Sequence, residues 1–227
     1  MTDRRIVIAG GHGKIARHLI KELTASGDRA VALIRNPDHV GPVQALGALP
    51  VVIDLEHASV DDVVDVVRGA DAVVFAAGAG PGSGAARKDS VDRGAAVLLA
   101  DAAERAGVRR FVQISSFGAG EPIPDGTDDG FVAYLEAKTA AEEDLKRRDG
   151  LDWTILRPGG LTDDDPTGEV ALTEPPLERG TVPRGDVAAV IAALLGTDAD
   201  GRPRAVGRTL MLTEGSFSVE DAVAALP

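Results

Sequence analysis

Unbroken apolar runs and helical periodicities alternate along the chain from its first residues. Ile6-Val7-Ile8-Ala9 and Ala72-Val73-Val74-Phe75-Ala76 contain no polar position, the pattern of strands covered on both faces in the middle of a sheet. Between them, Ile15, Ala16, Leu19, Ile20 and Leu23 recur with helical spacing, as do Val60, Val63, Val64 and Val67 behind the N-cap candidate Ser59. The pattern predicts strands at roughly 5–9, 30–34, 50–53, 72–76, 110–114, 153–156 and 208–213. Further helices are predicted at 87–106, ended by Gly107, and at 131–148, 185–195 and 218–226. Strand and helix in turn make βαβ units, so the expected fold is α/β: a doubly wound, mostly parallel sheet with helices on both faces. Two stretches, 77–86 and 159–183, have no regular period and read as loops. Both follow strands, which puts them where ligand sites of open parallel sheets lie.

The 227 residues are expected to form one domain, with 160–227 on the substrate side. A content of 44% hydrophobic and 26% charged residues leaves no room for a disordered or fibrous reading. The longest uncharged run is 15 residues, short of a membrane span, and the first residues carry no cleavable leader pattern. A cytoplasmic location is therefore expected. The net charge of −12 repels phosphate backbones and anionic lipid, which argues against nucleic-acid or membrane partners. Absence of cysteine excludes disulfides, thiol nucleophiles and iron–sulfur clusters, and the four histidines show no metal-ligand spacing. Helices 87–106 and 131–148 suit either a monomer or a homodimer.

The strongest chemical signal is Gly10-Gly11-His12-Gly13-Lys14-Ile15-Ala16, between the first strand and the first amphipathic helix. It fits two registers, Gly11-x-Gly13-x-x-Ala16 and Gly10-x-x-Gly13-x-x-Ala16. Glycines there let a pyrophosphate approach the backbone, and the helix N-terminus then offers free N–H groups and a positive dipole end. Dinucleotide sites that prefer NAD end the second strand with an acidic residue. Here Arg35 takes that place, a guanidinium suited to the 2′-phosphate of NADP, so NADP(H) is expected over NAD(H). Asp54-Leu55 ends the third strand, where a carboxylate can accept from the adenine amino group or simply face solvent.

The chain has a single tyrosine, Tyr134, with Lys138 four residues later on a predicted helix, so both side chains share a face. An adjacent ammonium favours phenolate, which makes a phenol a more useful proton carrier, and Lys138 can also bind a ribose. Ser115 and Ser116 end the fifth strand. Ser116 can hold a substrate carbonyl, or both hydroxyls can serve the turn.

In their order along the chain these features resemble the short-chain dehydrogenase/reductase superfamily. The resemblance rests on the glycine turn, Arg35, Asp54, Ile114-Ser115-Ser116, Tyr134-x-x-x-Lys138 and Trp153-Thr154-Ile155-Leu156-Arg157-Pro158-Gly159, and it extends to the helix start Arg184-Gly185-Asp186-Val187-Ala188. More narrowly, the chain resembles the atypical NAD(P)H-binding branch that includes flavin-reductase-like and NmrA-like proteins. That resemblance implies a Rossmann core, NADP(H), and hydride transfer to a small carbonyl, quinone or flavin-type acceptor. It places Ser116, Tyr134 and Lys138 in the catalytic positions and Pro158 and Gly159 beside the nicotinamide. Ala76-Ala77-Gly78 stands beside the cofactor where many relatives carry Asn-Ala-Gly, and so lacks a polar side chain that supports their proton relay. This departure motivates a second reading, a non-catalytic NADP(H)-binding regulator that senses redox state. A third is a small-substrate epimerase or dehydratase that retains its cofactor.

Overall fold

The chain folds as its pattern requires, strand alternating with helix. In its first half lie β1 (Arg5–Ala9), α1 (Lys14–Ala25), β2 (Arg29–Ile34), α2 (Val40–Gln44), β3 (Leu49–Val52), α3 (Val60–Val67), β4 (Ala72–Phe75), α4 (Ala85–Lys88) and α5 (Ala96–Ala106). There follow β5 (Arg110–Ile114), α6 (Asp129–Lys146), β6 (Asp152–Pro158), β7 (Gly160–Thr162), β8 (Glu169–Thr173) and β9 (Thr181–Pro183). The C-terminal part holds α7 (Arg184–Leu194), β10 (Arg208–Glu214), β11 (Phe217–Ser218) and α8 (Val219–Ala224). The computed structural model describes residues 3–80 and 82–226. Met1 and Thr2, part of the stretch read for a leader, and Pro81, part of the 77–86 loop, lie outside the described residues, as does Pro227.

The main sheet has nine strands in the order β11-β8-β10-β6-β5-β4-β1-β2-β3. From β3 to β10 every neighbouring pair is parallel, while β8 runs antiparallel to β10, and β11 to β8. Chain direction across the sheet reverses between β1 and β4, which opens a crevice at their carboxyl ends. Successive strand side chains point to opposite faces. Ile6, Ile8, Val74 and Leu212 therefore join Leu19, Ile191 and Ala222 in one buried layer. Val7, Val73, Phe75 and Phe111 join Val63, Leu99 and Leu145 in the other. Both layers need apolar residues, and this is why the central strands show no alternation.

Local signals hold where they are chemical. Ser59 caps α3 in a reciprocal arrangement with Asp62, and Gly107 ends α5 at φ +74°. Two expectations need correction, and one pair of elements is not predicted by the pattern. The stretch 159–183 is not loop throughout: β7 and β9 pair in a small parallel sheet, and β8 extends the main sheet. These strands have three to five residues, with only Val170 fully buried in β8, so no period survives to be read. The segment 87–106 is not one α-helix, because α4 begins at Ala85 and the backbone widens to a π-helix over Asp89–Ala95 before α5. Finally, a 3-10 turn at Pro37–His39, capped by Asn36, leads into α2, which Gly41 and Pro42 conceal in the sequence.

Candidate cofactor site and active site

The turn from β1 to α1 is shaped by its first two glycines. Gly10 has φ +75°, and a Cβ there would lie 2.7 Å from the Ala77 Cα. A Cβ on Gly11 would lie 2.5 Å from the Ala32 Cβ, so the turn rests directly on β2. Gly13 is the N-cap of α1 and supplies no side-chain cap, leaving first-turn amides to bind an anion.

Above this turn the crevice divides into two chambers that share Ala76, Ala77 and Gly78. The first, about 290 Å³, brings together Gly10, His12, Gly13, Arg35, Asp54 and Leu55. The second, about 390 Å³, is walled by Ile15, Lys88, Asp92, Ser115, Tyr134 and Lys138 among others. A dinucleotide fits this arrangement: an uncapped helix end lies between a chamber with guanidinium groups and one with a phenol. Gly11, Lys14, Ser116, Pro158 and Gly159 are not among the described residues lining these chambers. The Lys14 ammonium pairs with Asp163, which also accepts from Arg184 at 2.7 Å. The Ser116 hydroxyl donates to the Phe117 carbonyl at 3.2 Å. Pro158 ends β6, and the next amide, that of Gly159, donates to the Leu212 carbonyl at 2.8 Å.

In the first chamber Glu56 lies between two guanidiniums, 2.9 Å from Arg35 and 3.3 Å from Arg87. A hydrogen bond from Ser90, with bonds from Arg87 and Arg35 and the charge of Arg87, outweighs burial and holds the Glu56 carboxyl below the usual range. Burial opposes ionisation of Asp54, but bonds from the His57 ring and the Glu56 amide, with the charges of His57 and Arg35, also leave it below its ordinary value. His12 stacks on His39 with ring centroids 3.6 Å apart. Burial, then the neighbouring His39 and Arg17, disfavour its charged form.

In the second chamber Tyr134 and Lys138 lie one turn apart on α6, and the ammonium stands 5.7 Å from the phenol ring centroid. Lys138 is buried. Its ammonium donates to the Ile114 carbonyl at 3.2 Å and forms an ion pair with Asp92 at 3.1 Å. The other Asp92 oxygen accepts from the Ala79 amide at 3.2 Å. Beneath this pair Ser115 donates to Glu142 at 2.6 Å, and Arg157 grips the same carboxylate at 2.9 and 2.6 Å. Burial opposes ionisation of Glu142, yet the bonds from Arg157 and Ser115 and the charges of Arg157 and Lys146 leave its carboxyl below the ordinary range. Of the two serines, Ser115 is the one that walls the chamber.

Sequence reasoning missed Glu56, Arg87, Lys88, Asp92 and Glu142. A signal existed for two of them. Lys88, Val91, Asp92, Ala95, Ala96 and Leu99 are all buried, so a lysine and an aspartate occupy an otherwise apolar helical stripe.

The chain belongs to the NAD(P)H-binding family, whose model matches residues 10–198, in keeping with its resemblance to the atypical short-chain dehydrogenase/reductases. It is similar to a Bacillus halodurans structure, provisionally named an NAD-dependent epimerase/dehydratase, at 34% identity and a TM-score of 0.87, covering 98% of this chain and 100% of that one. The structure of the Lactococcus lactis oxidoreductase ylbE is 27% identical with a TM-score of 0.83, covering 98% and 96%. Bacillus subtilis YhfK, named an uncharacterized sugar epimerase, is 30% identical over 96% of this chain and 98% of its own. The family is one of NAD(P)H-binding, oxidoreductase-like proteins. No helix among the described residues is long and apolar enough to cross a membrane.

Proposed function

We propose that the protein is an NADP(H)-dependent oxidoreductase acting on a small carbonyl, quinone or flavin-type acceptor. The observation that carries this reading is Tyr134, set in the wall of the second chamber with the Lys88 and Lys138 ammonium groups over its ring. The cofactor, when bound, supplies the hydride. Gly10, His12, Gly13 and the free amides of α1 bind its pyrophosphate, while Arg35, aided by Arg87, selects NADP(H) over NAD(H) by gripping the 2′-phosphate. Asp54 and Leu55 hold the adenine side, and Ile15, Ala76, Ala77 and Gly78 form the floor between the two ends. Tyr134 gives its hydroxyl proton to the acceptor oxygen, and Lys138, anchored by Asp92 and Ile114, stabilises the phenolate that remains. Ser116, next to Ser115 of the chamber wall, is assigned to orient the acceptor oxygen, for which its hydroxyl would leave the Phe117 carbonyl. Pro158 and Gly159 flank the nicotinamide end, and Leu161 extends the chamber wall into the 160–227 region. The protein acts on its small-molecule substrate in the cytoplasm, as a monomer or homodimer.

Replacing Tyr134 with Phe tests this reading. NADPH binding should persist, and reduction of a responsive acceptor should fall by about 10²–10⁴-fold, the usual size of a general-acid contribution. Unchanged turnover would refute the assignment. The names of the B. halodurans and B. subtilis proteins favour a second reading, an epimerase or dehydratase. In that case product would form with no net consumption of cofactor.

A further inference from the structure

The second chamber holds a positive charge that nothing around it balances. Lys88 closes α4 and is only 9% exposed, yet its side chain helps to wall the chamber. Its ammonium sits 5.2 Å from the centroid of the Tyr134 ring. Among the described residues no carboxylate lies within ion-pairing distance of it. The nearest candidate by position is Asp92, on the same stripe, but one of its oxygens pairs with Lys138 and the other accepts from the Ala79 amide. Two ammoniums and one carboxylate leave the chamber with a net charge of +1. Arg87, the preceding residue, is directed to Glu56 in the first chamber, so neighbouring cations serve opposite ends of the cleft.

An ammonium that faces a mostly apolar chamber from a largely buried side chain, with no carboxylate beside it, gains when an anion arrives. The rest of the rim is apolar: Phe131, 43% exposed, and Leu161, 38% exposed, project at the mouth, with Ile15 alongside. The chamber thus offers flat apolar walls, a phenol and one fixed positive charge. The molecule as a whole carries −12, so an anionic substrate gains nothing from the overall field and depends on this local cation.

We infer that Lys88 is a specificity-determining residue, and that the acceptor is an apolar, preferably aromatic, carbonyl compound bearing a carboxylate, which pairs with the Lys88 ammonium while Tyr134 faces the carbonyl oxygen. This inference rests on the proposed oxidoreductase reading for the identity of the reaction, but the binding preference stands apart from turnover.

The test compares benzoate with benzamide, a neutral ligand of nearly the same shape, by calorimetry on the full-length protein with and without NADPH. Wild type should bind benzoate at least tenfold more tightly than benzamide. K88M should abolish that preference and K88R should retain most of it, with NADPH affinity unchanged in both. With 4-formylbenzoate and its methyl ester as acceptors, K88M should raise KM for the acid at least tenfold relative to KM for the ester, while any change in kcat from losing the ammonium beside Tyr134 should be the same for both. Equal binding of benzoate and benzamide by wild type, or a preference that survives in K88M, would overturn the inference. So would a tenfold loss of NADPH affinity in K88M, which would assign Lys88 to a cofactor phosphate instead. A Lys88-dependent benzoate preference without reduction of any acceptor would sink the oxidoreductase reading alone.

Discussion

The Lys138 ammonium lies 3.1 Å from the Asp92 carboxylate, with side-chain exposures of 4% and 0%. The family resemblance points to Lys138 as a catalytic cation, and the structure adds the buried carboxylate that pairs with it. Removing one member of a buried pair strands the other and costs about 3–5 kcal/mol, whereas replacing both by apolar groups is often close to neutral. D92L should therefore lose about that much stability in urea unfolding. The double variant D92L/K138M should recover most of it. A single D92L variant as stable as wild type would show that Asp92 does not serve this purpose.

A second buried carboxylate predicts the response to acid. Glu142 is 1% exposed and holds both Ser115 and Arg157, with its carboxyl below the ordinary range. A carboxylate depressed in the folded state contributes stability above its unfolded pKa, about 4.3. That contribution is lost as pH falls from there through the folded value. E142Q should lose about 3 kcal/mol at neutral pH by leaving the Arg157 charge without its counterion. Its stability should also fall less steeply than that of wild type below about pH 5. Parallel acid limbs in urea melts of the two proteins would contradict this account.

How much of this could be read beforehand depends on the range of the interaction. The central strands announce themselves because both faces of β1 and β4 are buried. Tyr134 and Lys138 share a face because four residues make about one helical turn. Ser59 and Gly107 act within three residues or through their own backbone. By contrast, Glu56 meets Arg87 and Ser90 across 31 and 34 positions, and Ser115 meets Glu142 across 27. Such pairs follow from which strand end abuts which helix, and local spacing carries no trace of it. The same holds for β7 and β9, whose three-residue strands are defined by pairing with each other and not by any period.

Within the glycine turn, Gly11 serves the fold and Gly13 serves the ligand. A Cβ on Gly11 would sit 2.5 Å from the Ala32 Cβ, which forces the turn off β2. G11A should lose about 1–3 kcal/mol, the usual cost of overpacking. At Gly13 the nearest atom to a new Cβ is the Gly10 carbonyl oxygen at 3.1 Å, and the residue lines the first chamber. G13A should leave thermal stability closer to wild type and weaken cofactor binding at least tenfold. Melting curves and calorimetric titration with NADPH on both variants check the division. A G13A protein that binds like wild type would remove Gly13 from the pyrophosphate site.

The proposed preference for NADP(H) rests on the Arg35–Glu56–Arg87 cluster. Two guanidiniums and one carboxylate leave a charge of +1, and Arg35 has a side-chain exposure of 54%, so it can turn toward a ligand at little cost. The 2′-phosphate of NADP is a multiply charged acceptor suited to bidentate guanidinium contact, while the corresponding hydroxyl of NAD offers no such charge. R35A should therefore raise the Kd for NADPH by about 10–100-fold, since charge-assisted hydrogen bonds contribute about 1.5–3 kcal/mol each, and leave the Kd for NADH nearly unchanged. R87A should act in the same direction with a smaller effect, because the Arg87 side chain on α4 is less exposed than that of Arg35, 40% against 54%, and less free to turn toward a ligand. The NADPH penalty should shrink as salt is raised, as expected of a partly exposed charge pair. Equal losses for the two coenzymes would move Arg35 from selecting the 2′-phosphate to holding some part that NADPH and NADH have in common.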